Sequence, residues 1–439
     1  MGGIRGFIGA AMVLACTATA KGAQAAEVDP ARPDPGHRLS DRLVLAYHYP
    51  WYGYKEPRQW DRTTADHPLL GSYRSDDPRL IDFQLSLAEE AGLDGFIVSW
   101  NGPGTIQGKI LAQMLGQLEK RPHRCFRLCV IWEGIANYSG PGPLAADKVR
   151  EALAHLVATH GSRPGYLRVE GKPVIFVYQA QSWPLPQWRE VLDDVTRRRG
   201  PGLYVAVPDG WEVDLAILSC FDGLVPYADK YYTDDVLRKG YRRLAERAGR
   251  EKKPLAVAAI GGGSRIQKLG FDIDRSQGRY LRARFGLARE LKADWVTITS
   301  WNEWFEAMQI EPSREYGFEQ TKYVRREAAA FKGAELPALG GARLAVVRAE
   351  SGSGRGWAAA NRGSGNLYAV TAVGARRGPE IVAYVLHPGE QVTLPADSRH
   401  DQVTASLLDG TSVTAAVPAD GARAGGDELR LRPTLHQGE

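Results

Sequence analysis

A chain of 439 residues is longer than an average single domain, though one parallel barrel of roughly 250–300 residues fits inside it. Hydrophobic residues at 44% and charged residues at 24% suit a folded globular protein and argue against a disordered one. A formal charge of +5, with acidic and basic residues interleaved, excludes a nucleic-acid footprint, while 11 Trp and 18 Tyr supply flat apolar faces of the kind that stack on sugars.

The chain opens on a segment that reads as a signal peptide, residues 1–26. Arg5 gives a positive start, 6-GFIGAAMVLA-15 is an apolar core too short to span a bilayer, and 23-AQA-25 is a small-x-small cleavage site. The expected mature protein is therefore exported, periplasmic or secreted. An alternative takes 13-VLAC-16 as a lipoprotein box, with Cys16 acylated as an outer-membrane lipid anchor; no later segment is apolar enough for a membrane span. Residues 27–40, rich in proline and aspartate, read as a linker.

From residue 41 a strand–helix rhythm begins. Strand 43–48 runs into the aromatic loop 49-YPWYGY-54, and the helix of 79-RLIDFQLSLAEEAGLDG-95 has apolar residues at 80, 81, 83, 85, 87 and 88. Strands at 95–100, 126–133, 173–179, 203–209, 221–228, 254–262 and 295–301 follow. Helices are expected near 106–120, 145–160, 186–199, 233–250 and 276–292. Continuously apolar strands alternating with helices predict a parallel sheet, and eight such units over 41–335 predict a (β/α)8 TIM barrel. Past 340, short β-branched runs at 344–350, 366–375, 380–389 and 402–410 predict a small antiparallel, sandwich-like β-domain over 340–420, a structural cap on the barrel, before a tail at 421–439 that includes the run 428–433.

In a barrel, the C-terminal strand ends form one rim, where active sites are built. Those ends carry Tyr49, Trp51 and Tyr52, Trp100 and Asn101, Glu133, Tyr178, Asp209, Tyr227, and finally Asn302, Glu303, Trp304 and Glu306, with His67 in a rim loop. Glycoside hydrolysis needs two carboxyl groups, one acting on each side of the scissile bond. Glu303 and Glu306 supply them among Trp301, Trp304 and Phe305, where burial raises a carboxyl pKa. In an extended segment, residues three apart point oppositely; a turn after the eighth strand would bring both to one pocket.

The motifs 49-YPWYG-53, 67-HPLLGSYRSDDP-78, 91-AGLDGFIVSW-100, 171-GKPVIFVY-178, 221-FDGLVPY-227 and 302-NEWFEAMQIEP-312 resemble glycoside hydrolase family 99, the endo-α-mannosidase and endo-α-1,2-mannanase family, with its bacterial polysaccharide-associated relatives. The resemblance covers roughly 45–325. It implies a (β/α)8 barrel, no metal, and retaining cleavage inside an α-linked chain through a 1,2-anhydro sugar. A carboxylate at the position of Glu303 takes the proton of the substrate's 2-hydroxyl, and the residue at the position of Glu306 is the acid and then the base. Glu133 matches a substrate-contacting acid; Tyr178 and Tyr227 match aromatic rim positions. The chain departs from the pattern in several places. Phe305 stands where relatives usually carry histidine, Ala307 and Met308 replace Gly-Thr, Asn101 replaces a second tryptophan, Gly134 and Ile135 replace Pro-Tyr after Glu133, and 261-GGGSR-265 replaces an aspartate-rich loop. These changes reshape the pocket, so a bacterial exopolysaccharide is as good an expectation as N-glycan mannose.

Other signals carry less. The glycines 261–263 lack the lysine-serine continuation of a phosphate loop, and His48 and His67 have no paired spacing for a metal, so neither metal nor cofactor is expected. The basic stretch 238–253 reads as a solvated outer helix face. Cys125 and Cys129, on one strand, lie about 13 Å apart, beyond disulfide reach, so any bridge would involve Cys220; buried free thiols are the simpler reading. The expected partner is a polysaccharide or oligosaccharide substrate. A non-catalytic carbohydrate-binding protein on the same fold and a transglycosylating enzyme of polysaccharide assembly are the alternatives.

Overall fold

The computed structural model describes residues 36–53, 60, 64–121, 124–134, 144–211, 213–227, 234–261, 264–266, 271–273, 275–349, 356–374, 377–395, 400–418 and 430–432. The expected leader, Cys16 and most of the 27–40 linker lie outside the described residues, as does most of the tail at 421–439.

Eight strands run parallel: β1 (Leu43–His48), β2 (Gly95–Trp100), β3 (Arg127–Trp132), β5 (Lys172–Tyr178), β6 (Leu203–Val207), β7 (Gly223–Leu224), β8 (Ala256–Ile260) and β11 (Trp295–Thr299). They are paired in the order β7-β6-β5-β3-β2-β1-β11-β8, which follows the chain around a cylinder, while the short β4 (Arg168–Val169) pairs antiparallel with β5. Every residue of β1, β2, β6, β8 and β11 is buried, which is why these strands read as unbroken apolar runs: each is covered on one face by its neighbours in the barrel and on the other by helices.

Between β7 and β8 no ladder forms among the described residues. The predicted strand 221–228 shrinks to two residues for a local reason. Val225 N and Tyr227 N donate to Ala206 O and Pro208 O on the β6 side, and the alternate N–H at 226, which would face β8, is missing because that residue is proline.

The helical layer consists of α1 (Pro78–Glu90), α2 (Ile106–Glu119), α3 (Ala146–Thr159), α4 (Leu185–Arg199), α5 (Asp234–Glu251), α6 (Arg279–Glu290) and α7 (Glu319–Lys332). In α1, Asp77 caps by accepting from Arg79 N, Pro78 occupies the first turn, and Leu80, Ile81, Phe83, Leu85, Leu87 and Ala88 are all buried, as the 3.6-residue period requires. The basic face of α5 is tied down in part, since Arg238 and Arg242 both pair with Glu290 on α6. A hairpin absent from the sequence reading, β9 (Ser264–Ile266) with β10 (Phe271–Ile273), follows β8.

After α7 come two antiparallel sheets, β12-β13-β16 and β15-β14-β17-β18-β19. Their strands are β12 (Leu344–Arg348), β13 (Trp357–Asn361), β14 (Leu367–Gly374), β15 (Arg377–Leu386), β16 (Gln391–Thr393), β17 (Gln402–Ser406), β18 (Ser412–Ala416) and β19 (Arg430–Arg432). Leu344, Trp357, Leu367, Leu386, Val403 and Val413 share a core between them. The sandwich is packed onto the barrel. Tyr368 and Leu408 join the barrel's own apolar core, Tyr368 and Asn366 donate to Glu90 on α1, and Asp82 on α1 meets both Arg121 and His387. Trp357 is buried under the Arg348 guanidinium, and Tyr384 lies beneath Arg79, so neither offers an open sugar platform. Cys125, Cys129 and Cys220 are free thiols; Cys125 precedes β3 and is exposed.

Candidate active site

Just beyond β11 the chain doubles back. Ser300 N donates to Met308 O, Ile310 N to Ser300 O, and Met308 N to Glu303 O, closing a compact turn over 300–310. Gly261, at the end of β8, permits it: a Cβ there would lie 2.3 Å from Ile310 Cγ2. Trp301 N donates to Tyr47 O, and the Asn302 amide clamps Tyr49, accepting from its N at 2.7 Å and donating to its O at 3.0 Å. Inside this turn Ala307 takes φ +53, a left-handed conformation that costs an L-residue about 1–2 kcal/mol and that glycine adopts freely.

The turn puts both candidate acids beside one tyrosine. Tyr227 is half-buried, and its hydroxyl is pushed up by desolvation and then by the negative charges of Glu306 and Glu303. Its hydroxyl is in short contact with that of Tyr49, and its ring packs against Tyr178 and Tyr47. Glu303 is only 6% exposed, whereas Glu306 is half-buried. Burial holds the Glu303 carboxyl well above the ordinary range, reinforced by Glu306 and Glu133; the Phe305 N–H and Tyr52 hydroxyl oppose this by hydrogen bonding. Tyr52 OH donates to Glu303 Oε1 at 3.5 Å and accepts from Trp304 N at 3.0 Å. Glu133, just past β3, is pushed up to about 7 by burial, with the Ser99 hydroxyl opposing. Three carboxyl groups and two tyrosines thus share a low-dielectric rim, the setting in which protons are held and moved near neutral pH.

Trp51 is half-exposed and lies 4.5 Å from Tyr49, ring centroid to centroid, presenting an aromatic face at the edge of this cluster. Other expected residues are placed elsewhere. Trp100 is fully buried and stacks on His155 of α3, because even-numbered residues of β2 face the helices while Ser99 faces the Glu133 side. Asn101 is exposed at the end of β2 without a described partner in the cluster. His67 is exposed and engaged by Glu315, whose carboxylate accepts from His67 N and lies 2.7 Å from Nδ1. Trp304 is buried, its indole N–H donating to Tyr73 OH and Glu311 Oε2. It supports the site from behind.

The sequence reading passed over this support. Glu311 accepts from Tyr73 OH at 2.7 Å, Gln84 Nε2 at 2.7 Å and Trp304 Nε1 at 3.1 Å, and Gln84 in turn meets His48 Nε2. Burial lifts Glu311 to about 7 and drives His48 down to about 4. On the other side, Arg275 pairs with Asp66 and holds main-chain carbonyls of the same turn. A lone carboxylate within the apolar 310-IEP-312 was the available signal for Glu311; Asp66 and Arg275, 209 positions apart, carried none. Beyond Arg275 a polar cleft of about 420 Å³, lined by Ser276, Gln277, Arg279, Tyr316 and Glu319, opens at the starts of α6 and α7; none of the expected site residues lines it. Among the described residues no group of three or more His, Cys, Asp or Glu is placed to hold a metal, and no helix is long and apolar enough to cross a membrane.

The model of Glycosyl hydrolase family 99 matches residues 41–330, the whole barrel. The chain belongs to glycoside hydrolase family 99. A glycoprotein endo-alpha-1,2-mannosidase-like protein of Danio rerio is 25% identical over 271 residues, 57% of this chain and 60% of the relative. The glycoprotein endo-alpha-1,2-mannosidase of Rattus norvegicus is 22% identical over 318 residues, 61% of this chain and 67% of the relative. The chain therefore spans about 60% of the length of the first of these curated relatives. A solved family 99 endo-alpha-mannosidase of Bacteroides thetaiotaomicron superposes with a TM-score of 0.58 at 21% identity, over 67% of this chain and 98% of that one. A solved glycoside hydrolase-like protein superposes at 0.52 with 14% identity, over 68% and 97%. At such identities the likeness establishes the fold.

Proposed function

We propose that this family 99 protein is an exported, endo-acting, retaining glycoside hydrolase that cleaves an α-linked, mannose-configured polysaccharide, a bacterial exopolysaccharide or a mannan. One observation carries the reading: Glu303, buried and held above the ordinary carboxylate range, shares the rim with Glu306, Glu133 and the Tyr49–Tyr227 pair. The names of the curated relatives support endo action on an α-mannoside, and the leader-like residues 1–26 support export.

In the first step Glu303, ionised, takes the proton of the substrate's 2-hydroxyl. A base whose pKa has been raised toward that of its target binds that proton more firmly than an ordinary carboxylate would. The freed O2 attacks C1 from the face opposite the leaving group while Glu306 gives its proton to the departing glycosidic oxygen. A mannose-configured sugar permits this, because its axial 2-hydroxyl lies trans to an α-linked leaving group. In the second step Glu306 takes a proton from water, whose oxygen opens the 1,2-anhydro ring at C1, and Glu303 returns its proton to O2. Two inversions retain the configuration, without the covalent glycosyl-enzyme of the usual retaining route. Tyr52 steadies Glu303 through its hydroxyl, and Trp51 offers a face for a sugar ring.

The test is cleavage of a panel of bacterial exopolysaccharides and α-mannans by wild type, Glu303→Gln and Glu306→Gln, read by product size. General acid–base groups contribute about 10²–10⁴-fold, so both variants lose most of the rate while wild type releases oligosaccharides. Equal turnover in all three would remove this pair from the mechanism. Binding without products would select the carbohydrate-binding reading, and products longer than the starting chain the transglycosylating one.

A further inference from the structure

Glu306 stands in the 300–310 turn immediately before Ala307, whose N–H donates to Trp304 O. Glu303 is fixed on both sides, by Ser300 Oγ at its own N–H and by Tyr52 at its carboxyl. Past Glu306, however, the chain runs through left-handed Ala307 before Met308 N rejoins Glu303 O. A strained conformation of this kind persists only where its surroundings over-determine it.

Arg275, which precedes α6, provides that constraint. Its Nη2 donates to Ala307 O at 3.1 Å and its Nη1 to Gln309 O at 2.8 Å, so one planar fork grips the two carbonyls on either side of Met308. Asp66 Oδ2 aims the fork, accepting from Arg275 Nη2 at 2.7 Å, and the same oxygen accepts from Gln309 Nε2 at 2.7 Å. The Tyr316 ring lies 4.7 Å from the guanidinium carbon. Arg275 and Asp66 have side chains 5% and 6% exposed, and among the described residues no other ion pair is so deeply buried on both sides. A buried pair is weak evidence for stability but good evidence for a defined geometry, and a lysine cannot reproduce a two-carbonyl fork.

We propose that Arg275, aimed by Asp66, is a positioning residue for Glu306: it sets the carboxyl of the proposed acid by holding the carbonyls of Ala307 and Gln309. The proposal rests on the reading of Glu306 as the acid that protonates the leaving oxygen. It separates this clamp from a general prop for the fold, because it acts on one proton transfer. A poor leaving group needs that proton and a very good one does not.

The experiment compares Arg275→Lys, Glu306→Gln and wild type on two substrates with the same α-mannosyl oligosaccharide donor. One has a sugar leaving group and the other is the glycosyl fluoride, and release is followed in the first turnover so that the later water step does not enter. On the sugar leaving group, Arg275→Lys loses about 10–100-fold in its saturating first-turnover rate with the half-saturating concentration within about threefold, the scale expected when a catalytic group is misplaced by about 1 Å. On the fluoride its first-turnover rate stays within about threefold of wild type. Equal loss on both substrates, or no loss on either, overturns the proposal. Glu306→Gln is the control: if it fails to spare the fluoride, Glu306 is not the acid, and both readings fall together. If Glu306→Gln spares the fluoride and Arg275→Lys does not, only the clamp fails. Should Arg275→Lys melt below the assay temperature, Asp66→Asn, which keeps an acceptor but removes the charge, reads the same contrast.

Discussion

Replacing Glu311 with glutamine separates a structural carboxyl from the proposed catalytic ones. Glu311 is 4% exposed, and burial lifts it to about 7 from the ordinary 4.5, although Gln84, Tyr73 and Trp304 all donate to it. Between those two values the folded chain keeps a proton that the unfolded chain has released. Stability therefore falls as pH rises from about 4.5 to about 7, and levels off above that. At roughly 1.4 kcal/mol per pH unit the full loss is about 3 kcal/mol, and most of it falls between pH 5 and pH 8. Glutamine does not titrate, so this part of the pH dependence disappears from the variant. Glu133 and Glu303 also titrate high, but they do so in both proteins and cancel in the difference. At pH 5 the variant is less stable by about 1–2 kcal/mol, because an amide N–H₂ replaces an acceptor in a nest of donors; by pH 8 that deficit vanishes or reverses. Equilibrium urea unfolding at pH 5, 6, 7 and 8, followed by tryptophan fluorescence and far-UV circular dichroism together, measures it. Two stability curves that run parallel within about 0.5 kcal/mol across that range would mean that Glu311 is ionised in the fold, and the reasoning would fail.

The proposed base predicts a pH profile. Because Glu303 acts ionised and its carboxyl is raised, the acid limb of kcat/KM lies above the ordinary carboxylate range, and Glu133→Gln, which removes a neighbouring negative charge, moves that limb to lower pH; a limb at or below about 4.5 in the wild type contradicts the assignment. The docking of the sandwich onto the barrel predicts a different sign. Asp82 is held down at about 2 from 3.8, against its own desolvation, by His387 and Arg121. Its folded pKa is depressed, so its contribution is present above about 3.8 and is lost as pH falls toward 2. Discounted for its partial exposure, Asp82→Asn costs about 1–1.5 kcal/mol at pH 7, visible as a lowered melting temperature that converges on wild type in acid.

The barrel was legible because its signals are local and redundant. A strand buried on both faces is an apolar run, and an outer helix shows its inward stripe at 80, 81, 83, 85, 87 and 88 whatever it packs against. The strands that escaped were those with weak local signals. β13 is 357-WAAAN-361, three alanines with little strand preference, and β16 is three residues long with no buried position. β7 reads as eight residues but forms as two, since the missing N–H of Pro226 matters only once β8 is the neighbour.

For the site, residue type and order along the chain were enough to put Glu303, Glu306, Glu133, Tyr49 and Tyr227 on one rim, because a parallel barrel brings every strand's C-terminal end to the same face. Which way each side chain turns there is a matter of register and partners. Trp100 faces His155 and not the rim, one step of pleat from Ser99; His67 is taken by Glu315; and Glu311, Asp66 and Arg275 fix the 300–310 turn across gaps of up to 238 positions. Local sequence carries periodicity and chemistry, which depend on near neighbours. The pairing of buried charges depends on which distant segments fold against one another, and only the tertiary structure decides that.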